Sequence, residues 1–195
     1  MADTGAMDDV RLLHRHSIRL PGRDYTRPGW YFLTICCGRR LLFGSGFRRS
    51  DTSGPFGIVR NRGGTLSPLG GMLADEWVRL GLRFPWAEPS DHVVMPDHFH
   101  GLVYMNDGTG SNVSTPPAAG VVPGSIPHLV QAYKSTTTWR AKRESLTSVS
   151  MGCGTRLWQR NYYESIIRDG RHLAAVRKYI ANNPARLAGR VPMAD

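Results

Sequence analysis

Long apolar runs are missing from this 195-residue chain. None approaches the roughly 18 residues that cross a bilayer as a helix, so no membrane span is expected. Met1 to Val10 carries Asp3, Asp8 and Asp9, whereas a secretory leader starts basic and turns apolar. The expected compartment is the cytoplasm. Cysteine is scarce: Cys36 and Cys37 are adjacent and Cys153 stands apart. No C-x-x-C pair exists, which argues against a disulfide framework and against a structural zinc site. Lysine is scarcer still. Of 25 cationic residues only Lys134, Lys142 and Lys178 are lysines, and 22 are arginines.

What is present is a folded, basic chain. Hydrophobic residues make up 41% and charged residues 21%, a balance that supports a core and excludes a disordered chain. The length suits one domain spanning 1–195. Against the 25 cations stand 15 acidic residues, a net charge of +10. An excess of this size points to a polyanion, and nucleic acid is the commonest. A GC-rich genome would explain arginine over lysine, but not the excess of charge. Guanidinium also forks onto phosphate and stacks on bases. Residues 1–28 form a basic lead-in with Arg11, Arg15, Arg19, Arg23 and Arg27. It reads either as a solvated tail or as an arm that clamps a nucleic-acid strand.

The pattern along the chain predicts its elements. Trp30 to Cys37 is aromatic and β-branched, a strand. Residues 44–67, rich in Gly, Ser and Arg, read as loop or short hairpin. Ser67 and Pro68 are an N-cap and a first helical residue. Leu69, Met72, Leu73, Trp77 and Leu80 then recur at helical spacing, with Gly81 near the end. His92–Met95 and His98–Met105 read as two strands around a Pro96-Asp97 turn. Residues 106–124 are a flexible loop by composition. Ser125 caps a second helix that bears Lys134, Arg140, Lys142 and Arg143. Leu157–Gln159 and Tyr162–Ile167 suggest short strands. Asp169 caps a last helix with Leu173, Val176 and Ile180 on one face, which Pro184 is expected to stop. The order is βαββαβ plus a helix, an α+β, ferredoxin-like plan with an antiparallel sheet.

The strongest local chemistry is His98-Phe99-His100. Alternate strand residues share a face, so both imidazoles project together and Phe99 turns the other way. Two imidazoles make a chelating half-site for a divalent ion, although a polar sheet face carries such a pair equally well. On the last helix Tyr179 and Asn183 are four apart and share a face. A tyrosine hydroxyl is a competent nucleophile when nearby charge stabilises it, and an asparagine carbonyl is a hard oxygen ligand. Read alone, each has a bland alternative: a packed tyrosine and a helix-ending asparagine.

Together these segments resemble a known family. Val93-Val94-Met95-Pro96-Asp97-His98-Phe99-His100 is similar to the HUH motif of single-tyrosine transposases, in the form typical of the REP-associated tyrosine transposase branch. Arg19-Leu20-Pro21-Gly22 with Trp30 to Ile35, Pro127 to Ser135, Leu157 to Glu164, and Tyr179 to Pro184 resemble the other blocks of that branch, in consistent order over most of 17–187. The resemblance implies a ferredoxin-like endonuclease and strand transferase for single-stranded DNA, with hairpin-forming palindromic repeats as its substrate. It implies Tyr179 as the nucleophile and a 5′-phosphotyrosine intermediate. It implies His98, His100 and Asn183 as ligands of Mg²⁺ or Mn²⁺. Tyr162, Tyr163 and Tyr133 are rival nucleophiles of lower rank. Arg15, Arg19, Arg23, Arg27, Lys134, Arg140, Lys142 and Arg160 are the expected DNA contacts. The expected partner is single-stranded or hairpin DNA, and the chain is a monomer or a homodimer. The alternatives are a non-catalytic hairpin-DNA binder, an HUH replication initiator or relaxase and, last, a ferredoxin-like RNA-binding module, for which no aromatic signature is evident.

Overall fold

The computed structural model describes residues 24–39, 53–60, 63–107, 120–147 and 155–188. Arg15, Arg19 and Arg23 of the basic arm, most of the 106–124 loop and Cys153 lie outside the described residues. Strand β1 (Gly29–Cys36) alternates as its composition demands. Tyr31, Leu33 and Ile35 are buried, while Trp30, Phe32, Thr34 and Cys36 are half-buried on the opposite face. Between β1 and the helix that starts at Pro68 lies a small antiparallel sheet of β2 (Ser53–Gly54), β3 (Gly57–Arg60) and β4 (Gly63–Leu66). It occupies part of the stretch whose composition reads as loop or hairpin.

Helix α1 (Pro68–Arg83) starts where its capping residues put it. The Ser67 hydroxyl accepts the Gly70 N–H at 3.0 Å, and Pro68 opens the first turn, where its missing N–H costs nothing. The helix runs past Gly81 and closes with the Phe84 N–H on the Leu80 carbonyl. Strand β5 (Ala87–Val94) begins five residues before His92. Pairing overrides propensity here. Ala87, Glu88 and Pro89 pair with Met105, Tyr104 and Val103 of β6 (His98–Met105), and a bulge between Pro89 and His92 absorbs the irregularity. A proline fits because β5 is an edge strand.

Helix α2 (Ile126–Arg143) is capped by Ser125, and β7 (Tyr163–Ile166) precedes α3 (Gly170–Ala188), where Asp169 accepts the His172 N–H at 2.8 Å. One expectation fails: Pro184 does not stop α3, which continues to Ala188. A proline in a helix removes one backbone hydrogen bond and crowds the carbonyl four residues back. Here the cost is offset by burial of Ile180 and Asn183 just before it, and by the helix formers Ala185, Arg186, Leu187 and Ala188 after it.

The main sheet has the order β5-β6-β1-β7 and every neighbouring pair is antiparallel. Strands β1 and β5 therefore run parallel with β6 between them, the split βαβ arrangement of a ferredoxin-like α+β fold. Helices α1 and α2 cover one face. There Trp77, Phe99 and Tyr133 form a ring cluster with centroids 5.1 to 5.7 Å apart. Tyr133 is fully buried and its hydroxyl donates to the Leu73 carbonyl at 2.9 Å. A polar tie joins the two helices: buried Glu76 receives Arg83 at 3.0 Å and Arg140 at 2.8 Å. Helix α3 crosses the other face. Among the described residues no helix is long and apolar enough to cross a membrane.

Candidate active site

Strand alternation builds the site. Phe99 is fully buried in the ring cluster, so His98 and His100 emerge on the α3 face. Their Nε2 atoms lie 3.0 Å apart. Each Nδ1 has its own partner: Asp97 Oδ1 at 2.6 Å for His98 and Thr34 Oγ1 at 2.8 Å for His100. With the Nδ1 protons directed to these oxygens, both Nε2 lone pairs point into one spot. Outer partners of this kind fix ring orientation and tautomer in metal sites. Burial, and then repulsion between His98 and His100 when both are protonated, hold the His100 pKa down to about 3. His100 is therefore a neutral imidazole at physiological pH, the form that ligates. Two bare lone pairs this close repel unless a cation or a proton sits between them. Adjacent corners of an octahedron with bonds of about 2.1 Å are about 3.0 Å apart, which the pair matches.

Helix α3 delivers the tyrosine. The Tyr179 hydroxyl lies 3.4 Å from His100 Nε2. Its ring meets His100 edge-on at 5.4 Å and Phe32 at 5.9 Å, and the Arg186 guanidinium lies 5.7 Å from its centroid. Tyr179 remains 37% exposed, so solvent and a strand can reach the hydroxyl. The rivals separate cleanly. Tyr133 is buried in the opposite layer, and burial pushes its pKa up. Tyr162 is buried in the core. Tyr163 is exposed on the site face, but it pairs with Thr34, on the far side of β1 from His100.

Asn183 follows Tyr179 by one turn and is buried, with an Nδ2 that has no hydrogen-bond partner. No hydrogen bond joins it to either histidine. Among the described residues no group of three or more histidine, cysteine, aspartate or glutamate side chains is arranged to hold a metal. An ion on the histidine pair would complete its shell with oxygen donors: an amide, a phosphate or water.

The expected DNA contacts divide. Arg27 is exposed beside Asp24 at 3.7 Å, ahead of β1. Lys134 donates to the carbonyls of Gln159, Arg160 and Asn161 at 2.9, 3.2 and 3.0 Å, which occupies its three protons in holding that loop. Arg140 is tied to Glu76 and Glu144, and those bonds raise its pKa. Arg140 and exposed Lys142 sit on α2, behind the sheet from the histidines. Arg160 is exposed in the loop beside the site, where the Gln159 N–H meets the Cys36 carbonyl at 2.9 Å. The cations of α3 are absent from the expected DNA contacts. The helix carries Arg171, Arg177, Lys178 and Arg186 and no acidic residue, a signal legible in the sequence. A groove of about 510 Å³ along α3 is lined by Lys178, Tyr179, Asn182 and Arg186 with two alanines. The aromatics Trp30, Phe32 and Tyr104, together with Tyr163, which the sequence offers as a rival nucleophile, share the face of the histidines.

No protein-family model matches the chain. An uncharacterized protein of Haemophilus influenzae strain Rd is 31% identical over 180 residues, spanning 88% of this chain and 88% of that protein. The chain belongs to the same family as that protein. Among solved structures, a REP-associated tyrosine transposase bound to a REP hairpin superposes with a TM-score of 0.46 and 18% identity, over 87% of this chain and 73% of that one. A candidate transposase of Deinococcus radiodurans R1 gives a TM-score of 0.43 and 20% identity, over 84% of this chain and 97% of that one.

Proposed function

We propose that this chain is a metal-dependent endonuclease and strand transferase for single-stranded DNA, of the REP-associated tyrosine transposase branch, and that it acts on hairpin-forming palindromic repeats. The observation that carries the reading is the Tyr179 hydroxyl 3.4 Å from His100 Nε2, whose own neighbour at 3.0 Å is His98 Nε2. The sequence blocks around these residues and the net charge of +10 agree with it.

His98 and His100 would hold Mg²⁺ or Mn²⁺, with the Asn183 amide oxygen as a further donor, and such an ion would supply charge neutralisation and orientation at the scissile phosphate. Asp97 and Thr34 keep the two rings aimed. The exposed Tyr179 hydroxyl loses its proton to solvent and attacks phosphorus. The tyrosyl O–P bond forms as the bond from phosphorus to the 3′ oxygen breaks, and that oxygen leaves as a hydroxyl after taking up a proton. One phosphodiester replaces another, so attack by a 3′-hydroxyl reverses the step and no nucleotide triphosphate is consumed. A flexible strand bends into the site, whereas a duplex bent over 20–30 base pairs costs about 1–6 kcal/mol.

The test is a denaturing gel with one DNA sequence in three forms: hairpin with flank, unstructured strand, and duplex. With Mg²⁺ or Mn²⁺ the unmodified chain gives a covalent band on the hairpin substrate and none on duplex. Tyr179→Phe loses the band while binding the DNA nearly as well, because binding rests on phosphate contacts. Excess chelator removes the band, and Mg²⁺ or Mn²⁺, but not zinc, restores it. A band that survives in Tyr179→Phe moves the nucleophile elsewhere, and full cleavage in chelator overturns the metal.

A further inference from the structure

Among the described residues, helix α3 covers part of the site face and leaves Tyr163 exposed. It starts beside β7, where the Ile167 N–H meets the Trp30 carbonyl at 2.9 Å, and its Pro184 lines one pocket with Val93 and Val94 of β5. At the other end of β1 and β7, Tyr163, Thr34 and His100 stand in one cross-strand row on one face, with Tyr163 exposed and His100 buried beside Tyr179. Strands spaced about 4.8 Å apart set the Tyr163 backbone about 10 Å from that of His100.

Tyr163 is 61% exposed and, among the described residues, stacks on no other ring. Its support is rigid. Tyr162, just before it, is buried in the core under the Lys134 ammonium, 5.4 Å from the ring centroid. The same ammonium pins the carbonyls of residues 159–161. Lys134 thus fixes the loop that turns Tyr162 inward and Tyr163 outward, with exposed Arg160 alongside. A large ring held open in this way, beside a cation and a nucleophilic centre, has the chemistry of a stacking platform. Every nucleobase has a π-face, so such a platform binds single strands without reading their sequence.

We infer that Tyr163 stacks an unpaired nucleobase close to the scissile phosphate and positions the strand over the His98–His100 pair. Arg160 contacts the adjoining backbone phosphate. The inference rests on the single-stranded DNA reading above, and it makes Tyr163 a positioning residue. It also gives Lys134 an indirect part in DNA binding, through the loop it holds.

The experiment separates the two readings by measuring binding where no chemistry occurs. In a Tyr179→Phe background, fluorescence anisotropy with the hairpin-and-flank DNA measures affinity for Tyr163, Tyr163→Phe and Tyr163→Ala. Tyr163→Phe keeps the affinity, and Tyr163→Ala weakens it about tenfold. A scan that replaces each flank nucleotide in turn by an abasic one finds one position whose loss weakens the Tyr163 protein by the same factor. That position costs Tyr163→Ala nothing further. Equal affinity of Tyr163→Ala and its parent overturns the inference, as does an equal loss at every abasic position, which marks a merely structural role. In the otherwise unmodified chain, Tyr163→Phe retains the covalent band. Loss of that band, with Tyr179→Phe still forming one, makes Tyr163 the nucleophile and overturns both readings. A chain that never forms the band but keeps the Tyr163 contrast leaves the stacking role standing and removes the cleavage reading alone.

Discussion

The two faces of the main sheet are made by the same strands and follow opposite rules. On the α1–α2 face, Tyr31, Leu33, Ile35, Phe99 and Val103 are buried among Leu73, Trp77 and Tyr133, and the buried Tyr133 hydroxyl is satisfied. On the α3 face, the neighbours of those residues are Thr34, His98 and His100, two imidazole nitrogens face each other at 3.0 Å, and the Asn183 Nδ2 is unsatisfied. Phe99 and its flanking histidines are consecutive, so one residue of register divides stability from chemistry. Close-packed apolar groups tolerate no gap. Unmet polar capacity is not confined to the α3 face, since Trp86 Nε1 on the core side also lacks a partner, but only on the α3 face does it stand beside the histidine pair.

The largest contrast is expected from neighbours in sequence. His100→Ala should drop covalent adduct formation below detection while lowering stability by about 1–3 kcal/mol, since it removes the Thr34 hydrogen bond and the buried packing on Phe32 but leaves the ring cluster intact. Phe99→Ala should do the reverse. Opening the ring cluster costs about 3–5 kcal/mol, with adduct formation kept by the fraction that stays folded. Urea unfolding and the denaturing gel, run on both variants, check the pair. A His100→Ala protein as unstable as Phe99→Ala would mean that the histidine face also belongs to the core.

Much of this division was legible in the sequence because it rests on local rules. Alternation in Trp30–Cys37 and His98–Met105 assigns the faces, and Ser67-Pro68 and Ser125 announce the helix starts. The like-facing histidines and the tyrosine helix follow from spacing and motif. What stayed hidden depends on tertiary partners. Glu88-Pro89-Ser90-Asp91 has no strand signal of its own and is drawn into β5 by β6. Pro184 reads as a stop until the burial of Ile180 and Asn183 is known. Lys134 and Arg140 look like free cations in sequence, yet the fold gives one to three carbonyls and the other to two glutamates. The four cations of α3 needed no structure, only a count of charge along one helix.

A smaller effect sharpens the comparison from the core side. A Cβ on Gly101 would lie 2.5 Å from the Trp77 ring and 2.8 Å from the Phe99 ring. Gly101 thus accommodates the ring cluster behind the histidines. Gly101→Ala is expected to cost about 1–3 kcal/mol through overpacking. The Nε2 pair emerges on the other face, so adduct formation per folded molecule should hold. Thermal unfolding combined with an active-site titration by adduct yield would reveal this. A fall in yield beyond the unfolded fraction would mean that pressure on the core face reaches His100.

The smallest stability effect, and the most informative for the proposed ion, belongs to Asn183. Its Nδ2 is buried without a partner, and an unsatisfied buried donor carries a penalty of about 1–3 kcal/mol. Truncation removes that penalty along with some packing, so Asn183→Ala should unfold at nearly the parent's urea midpoint, within about 1 kcal/mol. Its metal response should change instead. Water can take the place of one oxygen ligand, so half-maximal adduct formation should need about tenfold more Mn²⁺, with the saturated yield largely kept. An amide reserved for a bound ion gives both results together: an unaltered fold and a shifted metal titration. A loss of more than 2 kcal/mol with an unchanged titration would assign the side chain to the packing of α3 and leave the histidine pair to hold its ion with solvent and phosphate oxygens alone.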